Sequence, residues 1–136
     1  MSGSLALALY GLPVVPKDVD IQTDRIGVEQ MSALLAEYLV YPPGMQLGVR
    51  LVRSYLAQFK VHGVSVEAMG HMEFQTQEGR WNPAPDFRHK RQMLDYLGLQ
   101  IPLVSLQFLL DFYSQLGRQG RVALIEAKLK AGQEPG

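Results

Sequence analysis

The sequence predicts an α+β (mixed α/β) domain that is built on one mixed sheet with flanking helices and a C-terminal helical pair. The order of the predicted elements leads to this fold class, and two further observations mark the candidate site on it. Helical and strand patterns follow one another as helix, strand, helix, antiparallel strands and two helices. A Gly-Ser step opens the first helix, and two aspartates separated by one residue lie on the first strand. With 136 residues, we expect one domain over residues 1–130 and a flexible tail over 131–136.

The composition excludes several classes of protein. Thirteen basic and thirteen acidic side chains cancel, so no long-range field attracts nucleic acid or an anionic membrane. We expect neither of them as a partner. The chain has no cysteine, which excludes disulfides and thiolate metal sites and leads us to expect a cytoplasmic protein. The apolar run Leu5–Leu9 is too short to span a membrane.

The first third of the chain predicts two helices around one strand. Ser4 is expected to cap a helix over Leu5–Tyr10, and Gly11 suits the left-handed position after it. Val14–Thr23 has the composition of a strand. Gly27–Tyr41 is predicted to be a helix because its apolar residues recur at helical spacing, and the Pro-Pro-Gly that follows would end it.

The rest of the chain predicts a hairpin, further short strands and two helices. Two strand patterns flank a His-Gly pair, which is typical of a two-residue hairpin turn. A helix capped by Ser105 is expected to run to Leu116 and to end at Gly117. The predicted strands are Arg53–Val61, Val64–Met69, Met72–Thr76 and Gln92–Leu97, the predicted loop is Asn82–Phe87, and the last predicted helix is Gln119–Lys130.

Acidic side chains form the candidate site. Asp18 and Asp20 share one face of the predicted strand, with Cα atoms roughly 6–7 Å apart, so they can share a divalent cation. The same spacing is also typical of a solvated strand end. Glu67 lies between apolar neighbours on another strand, where a carboxylate needs a partner. Either Lys17 or Arg53 pairs with it, or all three acids converge on a cation.

The chain resembles the minimal nucleotidyltransferases of the DNA polymerase β-like superfamily. The similar segments are Gly3-Ser4 with its apolar helix, Lys17–Ile21, and Val64–Gly70 with Glu67. A later segment, Ile101–Leu106 leading to Leu116-Gly117-Arg118, extends the similarity over nearly the whole chain. The pieces occur in the order that the family has. The third acid is a glutamate here, where the family usually has an aspartate.

The resemblance implies transfer of a nucleoside monophosphate from a nucleoside triphosphate, expected to be ATP with Mg²⁺, to an acceptor hydroxyl. It implies that Asp18, Asp20 and Glu67 are the metal-binding and catalytic residues, with Glu67 sharing in activation of the acceptor. Gly3 and Ser4 would contact the triphosphate, and Lys17 would bind phosphate unless it balances the acids. Such a transfer depends mostly on positioning and charge neutralisation.

Two other functions stay open at this point. The first is a non-catalytic nucleotide-binding or protein-interaction module, and the second is one half of a toxin–antitoxin pair. The acceptor is therefore either a small molecule or a protein. A homo-oligomer and a small helical partner protein are both left open as partners.

Overall fold

The predicted α+β class is confirmed by the computed structural model, which describes residues 1–47, 52–76 and 78–133. The chain divides into two compact units, one formed by Met1–Pro16 together with Arg88–Gly136 and the other by Lys17–Phe87. Among the residues described, no helix is both long enough and apolar enough to cross a bilayer.

A five-stranded mixed sheet organises the unit Lys17–Phe87. Its main strands lie in the order β1-β4-β3-β2, and β5 pairs with the end of β4. Strand β1 runs parallel to β4, whereas the other neighbours are antiparallel. The strands are β1 (Val19–Thr23), β2 (Leu39–Leu47), β3 (Val52–Val61), β4 (Val64–Gln75) and β5 (Trp81–Asn82).

Helix α2 (Arg25–Leu34) covers one face of this sheet, and the hydrophobic core of the unit lies between the helix and the sheet. Its N-terminus is capped by Asp24, whose carboxylate accepts a hydrogen bond of 2.7 Å from the Gly27 amide. The core consists of Val28 from the helix and four buried sheet residues, Tyr55, Ala57, Phe59 and Ala68. Strand alternation then places the side chains of intervening residues on the opposite face of the sheet.

Gly70 allows α2 to approach β4 closely. A Cβ atom on this glycine would lie 2.8 Å from the carbonyl oxygen of Asp24 and 2.8 Å from Cγ2 of Val28. One of these two atoms is backbone, so the neighbour cannot rotate away. The first turn of α2 can therefore rest on β4 only because this position lacks a side chain.

The predicted helix Gly27–Tyr41 is wrong at its C-terminal end. Helix α2 stops at Leu34, a short 3-10 helix covers Ala36–Tyr38, and β2 begins at Leu39 and runs through the two prolines. Strand β2 lies at the edge of the sheet, and its pairing with β3 is irregular between Leu39 and Gly44. A proline has no N–H that could donate a hydrogen bond to a neighbouring strand. An edge strand with irregular pairing tolerates this loss.

The predicted hairpin is confirmed, but its second strand is longer than expected. His62 and Gly63 form the turn with φ of 49° and 81°, as a two-residue hairpin turn requires. The predicted strand Met72–Thr76 is the second half of β4. A bulge directly after Gly70 joins the two halves, with His71 in the left-handed conformation at φ 51°.

The unit formed by the two ends of the chain contains three helices and a hairpin. A backbone turn at Leu97-Gly98 joins β6 to β7, and both residues have positive φ. Strand β6 matches the predicted strand Gln92–Leu97 closely, whereas β7 was not predicted. The elements are α1 (Gly3–Leu9), β6 (Arg91–Tyr96), β7 (Leu99–Val104), α3 (Leu106–Gln115) and α4 (Gln119–Gln133).

Three of the four helix boundaries that the sequence marks with a serine or a glycine in this unit are confirmed, and one of the three is Gly117, which is left-handed directly after α3. The Ser105 hydroxyl caps α3 by accepting from the Phe108 amide at 3.1 Å. After α1, Gly11 is left-handed, and the amides of Gly11 and Leu12 bond back to the last turn. The predicted Ser4 cap is wrong, because α1 begins at Gly3 and Ser4 already lies inside its first turn.

Two further boundaries differ from the prediction. Strand β1 begins at Val19, so only the second half of the predicted strand Val14–Thr23 is paired. Helix α4 continues past Lys130 to Gln133, within the predicted tail. The last residues of that tail, 134–136, lie outside the described residues.

Candidate functional site

Asp20 and Glu67 lie side by side on neighbouring parallel strands. Asp20 of β1 is in register with Glu67 of β4, so both side chains project from the same face of the sheet. The neighbouring pair Ile21 and Ala68 projects from the other face, where Ala68 belongs to the core under α2. Strand phase therefore directs both carboxylates to the face opposite α2.

The third acid, Asp18, acts on both of these carboxylates. Burial raises the pKa of Asp20, and the negative charge of Asp18 raises it further. Burial also raises the pKa of Glu67, and the charges of Asp20 and Asp18 add to that effect. Only charges that are close enough to repel one another act in this way. The three acids thus form one electrostatically coupled group.

Gln58 of β3 contacts this group from the other side of β4. It is the register partner of Glu67, and a hydrogen bond between their side chains opposes part of the rise in the Glu67 pKa. A carboxylate accepts such a bond, so the amide N–H of Gln58 is the donor. Gln58 was not among the predicted site residues.

A cavity of about 320 Å³ opens beside Glu67, where β4 begins. Its walls combine two carboxylates, an amide, an ammonium group and a hydroxyl with apolar side chains. The lining residues are Asp18, Val40, Gln58, Phe59, Lys60, Ser65, Val66 and Glu67. Small-molecule sites combine apolar walls with a few polar groups that orient the ligand, and this cavity has both.

The acids have the right chemistry for a divalent cation. Carboxylate oxygens are the preferred ligands of Mg²⁺, and mutual repulsion is relieved when a cation lies between them. In the part of the chain that the structure describes, no three His, Cys, Asp or Glu side chains stand close enough to hold a metal. The donor types and the shared face therefore fit a cation, while joint coordination by the three acids stays a prediction.

The remaining predicted residues do not join the acids in the same way. Arg53 does not pair with Glu67; its Nε donates to Glu73 at 3.0 Å, and its guanidinium lies 4.1 Å from the centre of the Trp81 ring. Lys17 is exposed and directly precedes Asp18. Gly3 and Ser4 belong to the unit formed by the chain ends, so their contact with the triphosphate stays a prediction, as does the phosphate role of Lys17.

The raised pKa values predict how stability depends on pH without metal. A carboxyl whose pKa is raised by folding favours the folded state below its unfolded pKa, and this contribution is lost as pH rises through the folded pKa. We expect the free energy of unfolding of the wild type, relative to the double variant Asp20→Asn/Glu67→Gln, to fall as pH rises from about 4 towards neutrality. Urea unfolding in EDTA across this range measures it, and a difference that is independent of pH would contradict it.

The fold and the acidic face define the class of this protein. A mixed sheet with Asp20 and Glu67 on one face, and with Asp18 close enough to raise the pKa of both, is the arrangement expected of a nucleotidyltransferase. The model of the aminoglycoside-2''-adenylyltransferase family matches residues 1–128, and the chain therefore belongs to this family. Family and fold together make it a nucleotidyltransferase.

A solved structure supports the same assignment. The chain is similar to a protein of Thermotoga maritima that is described as a candidate nucleotidyltransferase, with a TM-score of 0.81 and 27% sequence identity. The match covers 96% of this chain and 80% of that one. No curated protein matches the chain.

Proposed function

We propose that this protein binds ATP with Mg²⁺ on the acidic face of the sheet and transfers the nucleoside monophosphate to a hydroxyl of an acceptor. One observation carries the proposal most directly. Asp20 and Glu67 are register partners on one face, and Asp18 is close enough to raise the pKa of both. Carboxylates that repel one another in this way favour a cation, and a cation favours a triphosphate.

The three acids share one role in the proposed reaction, and Glu67 has a second one. Asp18, Asp20 and Glu67 would hold the cation, which supplies charge neutralisation at the phosphates. The acceptor oxygen forms a bond to the α-phosphorus, and the bond from that phosphorus to the pyrophosphate leaving group breaks. The proton of the acceptor hydroxyl passes to the carboxylate of Glu67. That carboxylate faces the cavity and is oriented by Gln58.

The first test is whether ATP binding depends on the metal. Without a cation, three carboxylates repel the triphosphate, so we expect EDTA to weaken ATP binding at least about tenfold relative to Mg²⁺. Isothermal titration of the full chain with ATP in each buffer measures this ratio. Equal affinity in both buffers would refute the metal–nucleotide proposal.

The same preparation separates catalysis from binding alone. An enzyme releases pyrophosphate when an acceptor hydroxyl is supplied, whereas a non-catalytic nucleotide-binding module binds ATP and releases none.

A protein acceptor, a helical partner protein and a homo-oligomer also remain proposals. The family name refers to aminoglycosides, so an aminoglycoside hydroxyl belongs in the first panel of acceptors. The lack of cysteine keeps the cytoplasm as the expected location.

A further inference from the structure

We propose that the protein forms a two-fold symmetric dimer through the outer edge of β6, in which Arg91 of each copy faces Asp95 of the partner subunit. The molecule that binds this edge is therefore a second copy of the same chain. The inference uses only the unit formed by the two chain ends, and it does not depend on the proposed nucleotidyl transfer.

The backbone of β6 has an open edge. In the part of the chain that the structure describes, β6 pairs with no strand except β7. The Val104 amide donates to the Met1 carbonyl at 2.9 Å, and the Met1 ammonium group donates to the Pro102 carbonyl at 2.7 Å. Val104 and Pro102 therefore direct these backbone groups away from β6. Their register partners, Arg91 and Met93, occupy the non-hydrogen-bonded positions of the hairpin.

Three residues of β6 present free backbone groups at this edge. Both members of a non-hydrogen-bonded pair point their N–H and C=O outward, and such pairs alternate along a strand. Arg91, Met93 and Asp95 thus each direct one donor and one acceptor away from β7. All three side chains are exposed, and Met93 has 55% of its surface in solvent. An edge of this kind can hydrogen-bond to another strand.

Charge favours a second copy of β6 as that strand. Arg91 and Asp95 lie on one face of β6, roughly 13 Å apart along the strand, which is too far for a contact within one chain. Among the residues described, neither side chain has an ion-pair partner. If two copies run antiparallel about a two-fold axis at Met93, Arg91 of each copy lies opposite Asp95 of the partner subunit. The symmetry forms two attractive pairs at once.

Backbone and side chains select the same register. With the axis at Met93, the outward donors and acceptors of the two edges face one another, and each methionine lies against Met93 of the partner subunit. A shift of one residue would place the outward groups of one edge opposite groups that point inward. A shift of two residues would place Met93 opposite a charged side chain and separate both ion pairs. Only the register centred on Met93 satisfies the hydrogen bonds and the charges together.

Reversal of one charge tests the interface. Sedimentation equilibrium of the full chain from about 5 to 500 μM covers the dissociation constant on the order of 10–100 μM that we expect for a small interface. Arg91→Glu and Asp95→Arg each convert both attractive pairs into pairs of like charge. We expect each variant to weaken dimerisation at least about tenfold. Lys130→Glu makes a matched charge reversal at an exposed position of α4 and should leave the dissociation constant unchanged.

A mixture of the two variants tests the pairing itself. One copy then carries two negative charges on its β6 edge and the other carries two positive charges, so both pairs are attractive again. We expect an equimolar mixture of Arg91→Glu and Asp95→Arg to dimerise about as tightly as the wild type. Circular dichroism of each variant alone verifies that the fold is retained.

A single cysteine tests the register. The chain has no cysteine, so an introduced thiol can be oxidised only with its copy on another molecule. In the proposed dimer, the Cα atoms of the two Met93 residues lie roughly 5.5 Å apart, a separation that a disulfide can bridge. We expect Met93→Cys to form a covalent dimer in oxidised glutathione at least about tenfold faster than Met45→Cys. Met45 is a matched control, since this methionine of β2 is 59% exposed.

Several results would overturn this proposal. A wild type that stays monomeric at the highest concentration would show that the open edge does not bind a second copy. A dimer that tolerates both charge reversals would have its interface elsewhere on the molecule. A mixture of the two variants that stays monomeric, or equal rates of cross-linking for the two cysteines, would contradict the pairing of Arg91 with Asp95 of the partner subunit.

Discussion

Replacing Asp20 with asparagine is expected to weaken magnesium-dependent ATP binding about a hundredfold, since in the proposed function Asp20 is one of the charged ligands of the cation. Asparagine has nearly the same shape as aspartate, so the packing around β1 is retained. The variant should also be more stable than the wild type in EDTA, because burial and the charge of Asp18 both disfavour the ionised Asp20 carboxylate. Titration calorimetry and urea unfolding measure the two effects on one protein sample.

A matched control separates the site from a general effect of charge. Asp111→Asn makes the same substitution at an exposed position of α3, and we expect it to change neither quantity measurably. Loss of ATP binding by both variants would point to net charge as the cause. If the Asp20→Asn variant bound ATP as tightly as the wild type, Asp20 would not be a ligand of the metal.

Gly70→Ala is expected to lower the free energy of unfolding by about 1–3 kcal/mol, the range found when a packed site is overfilled. The added Cβ would lie 2.8 Å from a backbone carbonyl oxygen of Asp24, so the start of α2 must move away from β4. Urea unfolding in the presence of EDTA measures the change, since no bound ligand then contributes to stability.

The control for this prediction is another glycine-to-alanine change with open space around it. Gly120 lies in α4, and a Cβ built there meets nothing within 4 Å. Alanine favours a helix over glycine, so Gly120→Ala should stabilise the protein by up to about 1 kcal/mol. If Gly70→Ala were equally harmless, close contact between α2 and β4 would not exist in solution.

Local patterns predicted the parts of the fold that depend on neighbouring residues. Alternation along β1 and β4 correctly set the phase of Asp20 and Glu67, and the His62-Gly63 turn correctly located the hairpin. The same turn also determines the register of the two strands that it joins, which the prediction did not use. Counting outward from a two-residue turn pairs Gln58 with Glu67 and Lys60 with Ser65, which are the contacts found in the structure.

The features that were missed depend on residues far apart in the sequence. The two prolines in β2 were interpreted as the end of a helix. They fit a strand only because β2 lies at the edge of the sheet, and the position of a strand in a sheet depends on all of its strands. The sequence predicted two separate strands on either side of His71, whereas the structure has one continuous strand with a bulge at this residue. Ser4 has the composition of a cap, but the helix begins one residue earlier, at Gly3.

The parallel pairing of β1 with β4 also determines when the site can form during folding. The β3–β4 hairpin closes through a two-residue turn and needs only local contacts, which form within microseconds. Docking of β1 closes a loop of more than forty residues, from Val19 to Val66, and brings the carboxylates together against their repulsion. We therefore expect the acidic face to be assembled late in folding, and we expect a cation that screens Asp20 from Glu67 to speed the docking of β1.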